Sequence, residues 1–176
     1  KMLGMSKAGI FKYYKNKQEL FIAVVDRFWF STQNPRNKFM ETNGTFAEFI
    51  DEYVRGVQRT MDMLGNLIGA DREKVAQGKF TYHAQYFHFL FQLLQYDPDA
   101  KEKLRNLVEV DYAYWRAAIQ RAIATGELRE DVDVEDAVVM FRQVYMGLSF
   151  EMSFLGGLNT EKLSKHLHAV YSLLKR

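Results

Sequence analysis

The chain has 176 residues, 48% of them hydrophobic and 15% aromatic, with a net charge of +2. That is about one domain, with ample material for a core, and it argues against disorder. Cysteine is absent, which excludes disulfides, thiol catalysis and Cys-ligated zinc and permits a reducing compartment.

No apolar run approaches the roughly 18 residues of a membrane span, and no signal peptide is visible. The opening KMLGMS reads as a chain cut within an element, so a preceding segment is expected. Turn signals are sparse, and apolar residues recur three and four apart, so the expected class is all-α. Charge is split. Residues 1–38 carry eight Lys or Arg against Glu19 and Asp26, a net of +6, and the remainder nets −4. A basic head on a mildly acidic body suits an anionic partner for the head alone.

In chain order, Ser6 caps a short helix ending near Tyr14, with Gly9 inside it at a cost of about 1 kcal/mol relative to Ala. Asn16 caps the next, and Glu19 completes a capping-box spacing. Leu20, Phe21, Val24, Val25 and Phe28 share its face, and it runs to about Ser31 before TQNPRNK breaks it. Thr45 with Glu48 repeats the capping signature, and apolar residues from Phe46 to Leu64 follow with helical period. Gly65, Gly69 and Gly78 bracket a short helix between turns. Lys79 to Tyr96 is apolar all round and is expected to be mostly buried. Asp97-Pro98 starts a long helix with proline at its first position, stopped near Thr125 by Gly126. Asp133 starts a helix closed by Gly156-Gly157, and Thr160 caps the last. The expectation is about eight helices in one bundle.

On the short first helix, Ile10 and Tyr14 share one side. Ala8, Gly9, Lys12 and Tyr13 form another, small and cationic. Such a flank can approach a DNA major groove closely, and a helix N-terminus attracts phosphate. Gly9 then trades stability for proximity, as functional sites often do.

The run GMSKAGIFKYYKNKQELF resembles the turn, recognition helix and next-helix start of the tetracycline-repressor (TetR) family of bacterial transcription regulators. That family's pattern is roughly G-V-S-K-G-T-L-Y-x-Y-F-x-x-K-E-E-L, and Gly4, Ser6, Lys7, Ile10, Tyr13, Tyr14, Lys17, Glu19 and Leu20 fit it without a gap. The resemblance implies two units. Residues 1–33 would be the C-terminal part of a helix-turn-helix DNA-binding head with its connecting helix. Residues 45–176 would be a helical ligand-binding and dimerisation domain. Residues Ser6, Lys7, Ala8 and Gly9 would then face bases, Phe11, Lys12 and Tyr13 would lie at bases or backbone, and Lys17 would meet phosphate. Phe11 stands where the family usually has tyrosine and Gly9 where threonine is common, so packing remains an alternative role for Phe11. The family's first helix and most of its second would precede Lys1.

The stretch GELREDVDVEDA, followed by VYMGLSFE, resembles the link into the penultimate helix of such regulators. The resemblance implies a homodimer, built on residues 133–156 with 160–175 or on 98–125 with 133–156. Gly147 and Ser149 suit a close helix approach. It further implies a cytoplasmic repressor with operator DNA and a small-molecule effector as partners.

FTYHAQYFHFLF is core on the simplest reading. Its polar atoms each need a partner, however, and an apolar pocket with a few placed polar groups describes small-molecule sites. Tyr82, His83, Tyr86 and Phe87, with Tyr112, Trp115, Phe141 and Tyr145, are the candidate effector-binding residues. An aromatic, hydrophobic or amphipathic ligand suits that lining. His83 and His88 are five apart and His166 and His168 two apart, so neither makes a helical metal pair, and no metal or cofactor is expected. No G-x-S-x-G elbow, phosphate loop or metal triad supports catalysis. The alternative function is an all-α ligand carrier or adaptor whose basic front meets a membrane or a protein.

Overall fold

A computed structural model describes residues 12–39, 44–67 and 82–176, apart from the side chains of 66, 67 and 82–85. The described residues form six helices and no strand. Helix α1 runs Lys17–Val24, passes through a π-helical turn at Val25–Trp29 and resumes at Phe30–Gln33. The others are α2 Phe46–Leu67, α3 Tyr82–Tyr96, α4 Ala100–Ala124, α5 Val134–Leu155 and α6 Thr160–Leu174. The short helix expected from Ser6 lies almost wholly outside the described residues; Lys12 and Tyr13 are in a turn.

The expected caps largely form. Asn16 accepts the Glu19 amide at 2.8 Å, and the Glu19 carboxylate turns back to the Lys15 amide. Thr45 and Glu48 close a reciprocal box, Glu48 N to Thr45 Oγ1 at 3.2 Å and Thr45 N to Glu48 Oε2 at 2.8 Å. Asp133 accepts from Asp136 N, and Gly126 and Gly156 end their helices with positive φ of 75° and 136°.

Four expectations are corrected. Helix α2 continues through Gly65 to Leu67, so the turn expected at Gly65 does not form; the rest of the 65–78 segment lies outside the described residues. The long helix α4 starts at Ala100, two residues beyond Pro98, because the Asp97 carboxylate folds onto Asp99 N at 3.0 Å and makes a turn first. Asn159 rather than Thr160 caps α6, accepting from Lys162 N, and the Thr160 hydroxyl reaches Gln58 instead. Helix α3 is not buried all round: Phe91 is 63% exposed and Leu94 and Tyr96 are exposed too, because the other described helices do not cover that face of α3.

Helix α2 packs on α6, α4 on α5, and α5 also meets α3 and α6. Burial organises two clusters. The larger is aromatic, with Trp115 stacked on Phe141 at 4.9 Å and ringed by Phe46, Phe49 and Tyr53. The smaller joins Val25 and Trp29 of α1 to Leu93 and Ala100. Each such aromatic pair adds about 0.5–1.5 kcal/mol beyond its buried area. The segment between α1 and α2 is held down by Phe39, which stacks on Tyr114 at 4.7 Å, and by Arg59, which Glu52 orients at 2.7 Å.

Candidate functional site

The two clusters meet at a narrow cleft, open to solvent, with about 20 Å³ of free space as it stands. Gln33 comes from α1, Val57 and Met61 from α2, Tyr86 and Phe87 from α3, and Tyr145 from α5. Two elements set its aromatic wall. Trp29 of the π-helical turn stacks on Tyr86 at 5.8 Å, and Phe87 meets Phe150 of α5 edge-on at 5.2 Å.

A buried polar group lies against this wall. Arg142 of α5 pairs with Asp111 of α4 at 2.7 Å, their side chains only 11% and 3% exposed. The Arg142 guanidinium carbon stands 5.7 Å from the Tyr145 ring centre, and Lys38 Nζ stands 5.1 Å from it. Lys38 is itself buried, and among the described residues no carboxylate lies within ion-pair distance of it. Tyr53 stands 5.7 Å from Tyr145, ring to ring. Several polar atoms here are buried without a hydrogen-bond partner: Tyr53 Oη, Asp111 Oδ1, Arg142 Nη1 and Ser149 Oγ. Native interiors leave few such atoms, and each one invites an explanation.

The electrostatics follow from burial. Desolvation, then the Asp111 charge, pushes the Tyr53 hydroxyl well above the ordinary tyrosine range. Desolvation raises Tyr86 likewise. Burial works against the charge on Arg142, but the Asp111 carboxylate, joined by Tyr53, Tyr145 and Tyr86, outweighs it and raises the guanidinium above its ordinary value. The set therefore offers neutral phenols and fixed cations. It can donate hydrogen bonds to a ligand, and it contains no activated nucleophile.

Of the residues expected to bind an effector, Tyr86, Phe87 and Tyr145 are brought together on the cleft. Trp115 and Phe141 are fully buried and stacked on each other in the larger core, and Tyr112 packs against that core. Tyr82 and His83 begin α3, but their side chains lie outside the described residues. Sequence reasoning missed Lys38, Tyr53, Asp111 and Arg142. Asp111 carried a signal: it precedes Trp115, Ala118 and Ala122 at helical spacing, a carboxylate on an apolar face.

At the front, Lys12, Tyr13 and Lys17 are exposed, Tyr13 to 77%. Ser6, Lys7, Ala8, Gly9 and Phe11 lie outside the described residues. A second hollow borders Thr45, Arg121 and Glu127, but the Glu127 carboxylate already caps α2 there, accepting from Phe46 N at 2.8 Å and Ala47 N at 3.3 Å.

Residues 73–150 match the family model described as "Tetracyclin repressor-like, C-terminal domain". No curated protein and no solved structure matches the chain.

Proposed function

The chain belongs to the tetracycline-repressor-like family through residues 73–150, and from that premise we propose a dimeric, ligand-responsive DNA-binding regulator of transcription. It acts as a cytoplasmic repressor, released when a small hydrophobic or aromatic effector enters the cleft. The observation that carries this reading is the position of the cleft. Gln33 lines it directly, and Trp29 touches its Tyr86 wall. Both belong to α1, the helix that follows the basic front. A ligand there can bias the front only through a difference in affinity between two arrangements of α1.

Under this reading Ser6, Lys7, Ala8 and Gly9 face bases, Phe11, Lys12 and Tyr13 lie at bases or backbone, and Lys17 holds phosphate. Two fronts in a dimer meet successive major-groove turns of a pseudo-palindromic operator. Among the described residues no helix is long and apolar enough to cross a membrane, and the basic front is assigned to DNA.

A salt titration of duplex binding by the natural full-length polypeptide tests this. Log affinity should fall against log salt with a slope of about −0.9 per phosphate neutralised, and Lys12→Ala and Lys17→Ala should each remove about one such increment. A salt-independent affinity, or none for any duplex, overturns the DNA-binding reading in favour of a carrier or adaptor.

A further inference from the structure

We propose that the ligand of the cleft is an amphipathic acid: an apolar or aromatic body with a carboxylate or similar anionic head, bound on the side of Lys38 and Arg142. The inference rests on the reading of the cleft as the effector site, and it adds the charge of the ligand and the residues that select it.

Charge bookkeeping inside the protein carries the argument. The buried carboxylates among the described residues are Glu52, Asp97 and Asp111. Glu52 is held by Arg55 and Arg59, Asp97 by Lys103, and Asp111 by Arg142. Each is matched. Lys38 is the one buried lysine among the described residues, and its ammonium meets only the face of Tyr145. The Lys38 stem is covered while its Nζ, which is not among the sealed atoms, keeps a path to solvent and stays available to a ligand. At the same Tyr145 ring, Arg142 leaves Nη1 without an acceptor, and Tyr53 Oη, Ser149 Oγ and Asp111 Oδ1 are unused. Asp111 Oδ1 is an acceptor in the same group, so the imbalance is one of charge: among the described residues Lys38 has no counter-charge. A bound anion supplies it.

The placement of Lys38 is built rather than incidental. A Cβ on Gly56 would lie 2.2 Å from the Lys38 carbonyl oxygen, so a glycine in the middle of α2 lets this backbone seat itself against the helix. Phe39, the next residue, is locked between Tyr114, Phe49 and Tyr53. Tyr145 connects the polar group to the cleft, since it lines the cleft and carries both cations beside its ring. The remaining wall, with Met61, Leu64, Phe87 and Met146, is apolar and suits the body of the ligand.

The test is isothermal titration calorimetry of the full chain with two pairs of probes that differ only in the head: decanoate against decanol, and naphthylacetate against naphthylethanol. In at least one pair the acid should bind about tenfold or more tightly than the alcohol, the scale of a hydrogen bond to a charged group. Lys38→Met and Lys38→Gln should erase that preference and leave the alcohol's affinity unchanged, with a circular-dichroism melt showing that the variants fold. Equal or tighter binding of both alcohols overturns the proposal while leaving the cleft a ligand site. A preference for acids that survives in both Lys38 variants overturns the assignment to Lys38. Binding of none of the four overturns the proposal together with the ligand-site reading.

Discussion

Trp29 and Tyr86 stack with ring centres 5.8 Å apart and planes 26° from parallel, joining α1 to the cleft. Trp29 closes the π-helical turn Val25–Trp29, and Val25 and Trp29, four residues apart, both face the smaller core. Such turns are rare and tend to mark functional places in a helix. Beside it, Asp26 and Asp97 share Lys103, at 2.7 and 3.0 Å, which pins the same stretch to the start of α4.

The stack yields a prediction about coupling. Trp29→Phe keeps an apolar filler, so stability should fall by less than about 1.5 kcal/mol in a denaturant titration. The contact with Tyr86 shrinks, however. Linked sites commonly change each other's affinity by about 5- to 150-fold, and the response of DNA affinity to ligand should weaken in this variant while the ligand-free affinity holds. An unchanged response would show that coupling bypasses Trp29.

Gly56→Ala tests the seat of Lys38. In an open helix this change stabilises by about 0.5–1 kcal/mol, because alanine is the better helix former. Here the new methyl would meet the backbone of Lys38, its oxygen at 2.2 Å and its Cα at 2.4 Å, with no flexible side chain to give way. The expected result is a loss of about 1–3 kcal/mol, as for overpacking, measured by chemical denaturation. A gain in stability would mean that the segment before α2 does not rest on Gly56.

Much of the helix framework was legible because capping is local chemistry. Asn16 with Glu19, Thr45 with Glu48, and Asp133 each satisfy amides three residues away, so the signal lies within one turn of sequence. Gly126 and Gly156 were legible for the same reason. The floor of the cleft was not. Lys38 and Phe39 follow a proline turn in a stretch with no periodicity, and only packing against α2 and α4 buries them. Asp111 and Arg142 meet across two helices, and neither sequence neighbourhood names the other as its partner. Trp115 and Phe141 have the composition of a pocket wall yet stack on each other, since aromatic content does not distinguish a lining from a core.

Tyr171 links pH to the cap of α2. Its hydroxyl donates to Glu127 Oε1 at 2.8 Å, and that carboxylate also accepts from the first amides of α2. Burial, then the Glu127 carboxylate, pushes Tyr171 up to about 12. A raised folded value means that the contribution is fully present below about pH 10, the ordinary tyrosine value, and is lost as pH climbs toward 12. Thermal melts between these limits should show a steeper alkaline decline in wild type than in Tyr171→Phe. The variant should be weaker at neutral pH by about 1.5–3 kcal/mol, the value of a hydrogen bond to a charged group. Parallel declines would remove Tyr171 from the alkaline transition.

For the dimer of the proposed function, the outer face of α5 is the expected seam. Met140, Gln143, Gly147, Phe150 and Phe154 follow one another at three or four residues and are all exposed, Phe154 to 73%. The corresponding face of α4 carries Lys101, Arg105 and Glu109 instead, all exposed. Both pairings that the sequence allowed contain α5, and the exposed face of α6 carries Glu161, Lys162 and Lys165, so the apolar stripe puts α5 itself at the centre of the seam. A Cβ on Gly147 meets nothing within 4 Å in the single chain. Gly147→Arg should therefore leave the protomer intact, even adding up to about 1 kcal/mol of helix propensity, while its bulk and charge keep two copies of α5 apart. Sedimentation equilibrium should report a dimer for wild type and a monomer for Gly147→Arg and for Phe154→Asp. A dimer persisting in both variants would move the seam to another face, and a monomeric wild type would remove the dimer from the proposed function.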